Sequence, residues 1–279
     1  MSNEDIMKDV ILETAKQVAV DVYKDTTHPT AKNIGGFLGT LSGFFNHVVM
    51  YPLKKLNIKY EQKAIAFEKA MEKKFNAIPE NDRVEPQLHI VGPALESLKY
   101  NIMEDDIAEM YSNLLLSDMD NKTQSLCSPA FIKIIEQLSP IDARVYKSII
   151  DMLKQKNALP ICSINFIKKS DPQLFYTIQL PKYYSEKCEK MDDFAFSASL
   201  VNLNRLGLLN FSFMQWLTDD NQYTALLQSE SIKERLLFLQ TKNDGDVDTY
   251  IFNKGVIEIN DFSKSFARVC FREGDVGEK

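Results

Sequence analysis

Apolar residues recur at spacings of three and four through the first half of the chain, which is the period of helices that bury one face. The pattern predicts helices over residues 4–24, over Asn33–Leu53 and over Lys54–Phe75. A linker without periodicity follows at residues 77–86, where two prolines interrupt the pattern. We therefore expect the first half of the protein to be helical.

Residues that favour helix starts mark several later helices. Ser128 and Ser139 are each followed by proline, so each can cap a helix whose first position is that proline. Asp142 stands three residues after Ser139, where it can complete a capping box. Two more helices are predicted to begin at Gly92 and at Glu104, the second with acidic residues in its first turn.

The pattern changes to strict alternation after residue 158, and alternation is typical of strands. The runs ICSINFI, LFYTIQL and LLNFSFMQWL each predict a strand, and VDTYIFNKGVIEI predicts a hairpin that turns at Asn253–Gly255. Helical spacing returns from Phe194 to Leu206, and Gly207 fits the C-terminal cap of this helix. A short helix is expected at the end of the chain.

This order of elements resembles a winged-helix module. We predict a mainly α protein, with a helical region over residues 1–125 and a C-terminal α+β winged-helix-like domain over residues 126–279. The candidate reading helix offers Arg205 but begins with Asp192 and Asp193, whereas phosphate binding needs several basic side chains. Sequence-specific nucleic acid is therefore not an expected partner. Protein–protein interaction is the preferred use of the module, and a purely structural role stays open.

The segment from Asn33 to Leu53, NIGGFLGTLSGFFNHVVMYPL, contains no charged residue of the Asp, Glu, Lys or Arg types. Its glycines at every fourth position form a ridge that lets two helices approach closely. Three interpretations stay open: a tightly packed core helix, a conditional or interfacial membrane segment, and a permanent span, which its polar residues disfavour. The candidate helix-packing and membrane residues are Gly35, Gly39, Gly43, Phe37, Leu41, Phe44 and Phe45.

Basic residues follow this segment directly. The predicted helix over residues 54–76 carries seven lysines against three glutamates, with its apolar residues on one face, among them Leu56. A basic amphipathic helix beside a glycine-rich apolar one is a candidate surface for anionic membranes, with Lys54, Lys55 and Lys59 at the headgroups. The alternative is that the lysines complement the helix dipole and remain solvated.

Composition narrows the class of protein. Hydrophobic residues make up 44% and charged residues 26% of the 279 residues, which is the balance of a globular chain. The net charge of −6 argues against a general nucleic-acid binder. The four cysteines lie far apart, and buried thiols are the simplest interpretation. The acidic N-terminus lacks an apolar signal region, so we expect a cytoplasmic protein, with a peripheral location at the inner membrane left open.

Catalytic chemistry has little support in the sequence. The three histidines form no metal-binding spacing, and phosphate-loop and GxSxG motifs are absent. Asp118 and Asp120 could pair as carboxylates, although acidic helix ends are common without chemistry. We therefore predict no catalytic residues, no metal and no cofactor, and whether the protein is an enzyme is left open.

The stretch from Val84 to Lys147 resembles the Abi-alpha family, as do the glycine-rich segment before it and NLNRLGLL after it. Its most specific parts are VGPALE at residues 91–96, MYSNLL at 110–115 and SPAF at 128–131. The resemblance implies a bacterial protein of abortive infection, in which infected cells stop growing or die before phage is released. It implies no active site.

Two mechanisms fit that role. In the first, the glycine-rich helix and its basic neighbour are masked at rest and, after infection, enter the inner membrane as a homo-oligomer that leaks ions. In the second, the winged-helix half senses or sequesters a phage or host protein, and no membrane takes part. A hydrolase without a recognisable motif is a third class.

Overall fold

A computed structural model describes residues 41–171, 175–180, 193–227, 230–242 and 247–272. The predicted helix over residues 4–24 lies outside these residues, as does the first part of the glycine-rich segment with Gly35, Phe37 and Gly39.

The described chain begins in a helix, residues 41–45, which continues through a π-helical stretch, Asn46–Met50. The other helices are α1 (Tyr51–Leu56), α2 (Ile58–Asn76), α3 (Leu88–Asn101), α4 (Asp105–Asp118), α5 (Pro129–Ile135), α6 (Pro140–Leu153), α7 (Asp193–Arg205), α8 (Asn221–Leu227), α9 (Glu230–Lys242) and α10 (Asp261–Cys270). The strands are β1 (Leu159–Lys168), β2 (Phe175–Leu180), β3 (Asn210–Ser212) and β4 (Val247–Glu258). The predicted fold class, mainly α with an α+β C-terminal part, is confirmed.

Helix α4 lies at the centre of the helical part and is in contact with α2, α3, α5, α6 and α10. Every residue from 110 to 120 is buried, so its last turns are enclosed on all sides. Its buried polar side chains bind neighbouring elements: Asn113 and Ser117 donate to the carbonyls of Cys270 and Val269 in α10. The end of the chain is thereby fixed to the middle of the helical region.

The predicted capping signals of two helices are confirmed. Ser128 Oγ accepts a hydrogen bond from the N–H of Ala130, with Pro129 at the first helical position. Ser139 and Asp142 form the complete capping box at the start of α6.

Helix α3 begins at Leu88, earlier than the predicted start at Gly92. Tertiary contacts explain the difference, because Ile90 is buried in the core and the Asp118 carboxylate accepts the N–H of Gln87 just before the helix. Pro93 is accommodated inside the helix.

The predicted continuous helix over Lys54–Phe75 is wrong at its start. Asn57 adopts an extended conformation, with φ −166° and ψ 148°, and separates α1 from α2. Its Oδ1 accepts the N–H of Lys59 at 2.9 Å, so Asn57 serves as the N-cap of α2. The chain therefore forms a corner where periodicity alone predicts one helix.

The four strands form an antiparallel sheet in the order β2-β1-β4-β3. The predicted hairpin at Asn253–Gly255 is wrong: β4 runs through these residues as one strand and pairs with β1 along its length. A Cβ at Gly255 would lie 2.5 Å from the carbonyl oxygen of Ser212 and 2.9 Å from Ile161. The glycine therefore permits close approach of the neighbouring chain rather than a turn.

One hydrophobic core extends from Leu41 to Cys270 and includes residues on both sides of the predicted boundary at 125/126. A second, smaller cluster lies where α8 and α9 cover one face of the sheet, around Phe166 and Tyr223. The division into residues 1–125 and 126–279 and the winged-helix assignment both stay predictions. The predicted strand LLNFSFMQWL is reduced to the three residues of β3.

Candidate functional site

The described part of the glycine-rich segment packs against the protein through one face. Leu41, Phe45, Val49 and Leu53 recur every fourth residue, and each is at most 2% exposed. The ring of Phe45 stacks on Phe67 of α2, with 5.7 Å between centroids. Phe44 is half-buried beside the same core. Residues 41–53 therefore form an amphipathic helix that covers α2 and α3.

The other faces of this helix are polar or open. Ser42 Oγ donates to the Glu68 carboxylate at 2.6 Å, and the Asn46 amide donates to the carbonyl of Ser42. Apart from its own helix backbone, a Cβ built on Gly43 meets no atom of the described residues within 4 Å. Gly43 therefore has room for a methyl group in the described structure.

The segment ends at the extended residue Asn57, after the π-helical stretch and Pro52. The backbone hydrogen bond from Asn57 N to Leu53 O is long, at 3.4 Å. This corner can change its angle without opening the hydrogen bonds inside α1 or α2, since one residue carries the change in backbone direction.

The three predicted membrane-surface lysines lie around this corner. Lys54, Lys55 and Lys59 are all exposed. Lys54 Nζ lies 3.5 Å from the Glu61 carboxylate, and Lys55 Nζ lies 4.2 Å from the centroid of the Tyr51 ring. Surface pairs of this kind contribute little to stability, so the lysines remain available to other anions.

The corner also exposes large apolar side chains, which the sequence did not reveal. Leu56 is 69% exposed and Ile58 is 68% exposed. The expectation that Leu56 lies on the apolar face of α2 is wrong, because the break at Asn57 turns it away from that face. The available signal was Asn57 itself, a preferred N-cap residue in the middle of a helical pattern. Within the described ranges, no helix is long and apolar enough to cross a bilayer.

Asp118, a candidate carboxylate from the sequence, is fully buried at the end of α4. One oxygen accepts the N–H of Gln87 at 2.7 Å, and no donor in the described part of the chain reaches the other. Burial raises the pKa of Asp118 to about 6, although the Gln87 hydrogen bond and the charge of His89 both lower it. Asp120 turns instead to Arg272, at 3.4 Å. The described residues contain no group that could hold a metal ion.

The thiols are poorly suited to nucleophilic chemistry. Cys127 and Cys270 are free, and burial raises the pKa of Cys127 to about 12 and that of Cys270 well above its usual value. Burial also raises the pKa of Cys162 to about 12. Thiolates are therefore scarce at neutral pH. Cys188 lies outside the described residues.

The candidate reading helix, α7, packs against α6. Its Arg205 is bound within the protein, where its guanidinium donates to the side chains of Asn202 and Gln137. Low nucleic-acid affinity stays a prediction.

Comparison with protein families identifies the class of protein. The family described as "Abortive infection alpha" matches residues 59–270, which is most of the chain. The chain belongs to the abortive infection alpha family. Membership places it among the proteins of abortive infection, a bacterial defence against phage. The match begins at Lys59, so Lys54, Lys55 and the glycine-rich segment precede it.

The other comparisons add little to membership of the abortive infection alpha family. No curated protein matches the chain. A solved structure of an uncharacterized protein from the hydrocarbon-degrading marine bacterium Alcanivorax borkumensis SK2 is 12% identical. The match covers 53% of this chain and 94% of the solved chain, with a TM-score of 0.31. A likeness at this level supports no structural argument.

Proposed function

We propose that this abortive infection alpha protein defends the cell without enzymatic chemistry, by conditional association with the inner membrane through the glycine-rich segment 33–53. The observation that supports it is the packing of residues 41–53. An apolar stripe is held against the protein at rest, and one extended residue, Asn57, joins it to α2. Such a segment can leave the core as a unit.

The energy of release explains why the association is conditional. Burial of a large apolar side chain stabilises a fold by about 1.5–3 kcal/mol, so release of the four buried residues costs about 6–12 kcal/mol. A bilayer returns part of this free energy when it receives the same side chains, but the surface of α2 and α3 that the segment covered stays exposed. The resting state is therefore favoured, and a trigger from infection has to shift the balance.

The glycines give the released segment a way to assemble. Polar groups such as Asn46 and His47 are costly in lipid unless another helix covers them. A Cβ on Gly43 meets no described residue outside its own helix, and a small residue at this position permits close approach of a second helix in the released state. An oligomer of released segments would hide the polar groups and leak ions.

Phage challenge of expressing cells with simultaneous measurement of dye uptake tests this proposal. Dye entry is expected before lysis, together with a shift of the protein into the membrane fraction. If cells are protected while no dye enters and the protein stays out of the membrane fraction, the membrane mechanism is wrong.

A leucine substitution at Gly43 tests the assembly step. The Cβ of Leu meets no described residue, and Leu favours the helix by about 0.8 kcal/mol relative to Gly, so the monomer should fold, which circular dichroism checks. Bulk at this position should block helix approach and abolish protection. Gly43→Ala is the matched control, because it keeps a small residue and should protect. If Gly43→Leu protects cells fully, close helix approach along the glycines is not needed for protection.

A second candidate function is supported by the loop after β3. Met214 is 87% exposed and Trp216 is 60% exposed, and such side chains often anchor protein interfaces. In this alternative the C-terminal half senses or sequesters a phage or host protein. Loss of protection in Trp216→Ala, without any dye entry in wild-type cells, would favour this alternative.

A further inference from the structure

The corner between α1 and α2, residues 54–59, has the chemistry of a membrane-docking surface. We propose that it makes the first, weak and reversible contact with anionic lipid, with Leu56 and Ile58 entering the interface between Lys54, Lys55 and Lys59, whereas stable association needs segment 33–53. The inference deepens the proposed function and rests on it, since it names the surface that meets the membrane before segment 33–53 is released.

The two aliphatic side chains, Leu56 and Ile58, are not part of the hydrophobic core of the described residues. Leu56 precedes the N-cap Asn57, a position from which an apolar residue usually packs on the fourth helical residue. That residue is Glu61, so the usual apolar contact is lost. Ile58 is the first residue of α2 and is equally exposed. Their exposure leaves apolar surface beside which the described residues place no covering side chain, and such surface is typical of interaction sites.

The corner holds these side chains in place. The side chain of Asn57 accepts the N–H of Lys59, and its carbonyl accepts the N–H groups of Tyr60 and Glu61. Just before the corner, Leu53 anchors α1 in the core. While Leu53 stays in the core, Leu56 and Ile58 are therefore presented from ordered helix ends, which reduces the entropy lost on docking. The angle at Asn57 changes only when α1 leaves the core.

The charge of the corner indicates that its binding partner is an anionic bilayer. Three exposed lysines lie within six residues, on a chain whose net charge is −6. Glu61 offsets part of the charge of Lys54, and Lys55 and Lys59 remain. A cationic patch with projecting aliphatic side chains matches the headgroup region of an anionic bilayer, which accepts both. A bound peptide would need a groove, whereas Leu56 and Ile58 are more than two-thirds exposed.

The test is sedimentation of the purified full-length protein with vesicles. One set contains phosphatidylglycerol and phosphatidylcholine in equal parts, and the other contains phosphatidylcholine alone. Wild-type protein should bind the first set and bind the second more weakly. Leu56→Ser combined with Ile58→Ser should lower binding about tenfold or more. Lys55→Glu combined with Lys59→Glu should lower it at least about fivefold per residue.

Leu88→Ser is the matched control, because it removes an exposed aliphatic side chain that is not flanked by lysines, and it should bind as wild type does. All of these residues are exposed, so the variants should fold, and circular dichroism checks this. The inference would be overturned if wild-type protein does not sediment with anionic vesicles. It would also be overturned if the serine variants bind these vesicles as wild type does. Binding through a second copy would appear as self-association without vesicles, which also contradicts it.

The two proposals fail in different ways. Vesicle binding that depends on Leu56 and Ile58, without dye entry during infection, would support the docking surface and overturn the release mechanism. Dye entry during infection, together with vesicle binding that is unchanged in the Leu56 and Ile58 variants, would support the release mechanism and overturn the docking surface.

Discussion

At the scale of single residues, Asp118 is buried with one carboxylate oxygen that no donor in the described structure reaches. Its pKa in the fold, about 6, lies above the ordinary value of 3.8. Ionisation therefore costs the folded state free energy above about pH 6. As the pH falls through 6 towards 4, Asp118 becomes protonated in the fold and the penalty disappears.

Asp118→Asn should stabilise the protein at neutral pH. A shift of this size corresponds to about 3 kcal/mol, and the buried amide donor of Asn takes back part of it, so we expect a gain of about 1–2 kcal/mol at pH 7.5. Denaturant unfolding at a series of pH values measures it, and the gain should vanish towards pH 4.

Asp120→Asn is the matched control for this prediction. It weakens a contact with Arg272 rather than relieving an unsatisfied oxygen, and it should not stabilise. An equal gain in unfolding free energy in both variants, or a gain that does not change with pH, would show that the penalty does not come from ionisation of Asp118.

At the scale of elements, the helix over residues 41–56 is held by few large contacts, of which the stacked pair Phe45 and Phe67 is one. Phe45→Ala should weaken this attachment by about 3–5 kcal/mol, because it leaves a cavity against α2. In the proposed mechanism the loss favours release. Expressing cells should then show more protein in the membrane fraction, dye entry and slow growth, all without phage.

Phe131→Ala is the control for general destabilisation. Phe131 is equally buried, in α5, and packs edge-on against Phe266. It should lower stability by a similar amount without moving the protein to membranes. Identical behaviour of the two variants would assign the effect to unfolding rather than to release.

At the scale of the whole molecule, α10 connects the two halves. The Tyr146 hydroxyl donates to the carbonyl of Ser263 at 2.8 Å, and the Ser263 hydroxyl donates to the carbonyl of Leu208. Asn113 of α4 donates to the carbonyl of Cys270 at the end of the same helix. Hydrogen bonds therefore join α10 to α4, to α6 and to the residue Leu208 after α7. One cooperative unit is the expected consequence.

Tyr146→Phe should therefore destabilise by about 1–2 kcal/mol and preserve a single unfolding transition. Amide exchange should show lowered protection in α4 as well as in α10. Tyr100→Phe, at an exposed position, should change neither. Two separate transitions, with α4 protection unaffected, would support two independent domains divided near residue 125.

Local sequence determined much of the fold. The capping residues Ser128, Ser139 and Asp142 act on backbone groups within three positions, so their effect is readable without tertiary information. Helical and alternating periods placed α4, α6, β1 and β2, because each reflects one buried face. The family was likewise recognisable from short motifs, and the family match confirms it.

Tertiary structure decided where several local signals were ambiguous. Asn253–Gly255 has the composition of a turn, yet pairing with β1 and the close approach of Ser212 keep it in a strand. Leu56 follows the apolar period of α2, yet the extended backbone at Asn57 turns it into solvent. The burial of Asp118 follows from the enclosure of α4 by five helices. Pairing, enclosure and exposure depend on residues distant in sequence, and periodicity along one segment carries no information about them.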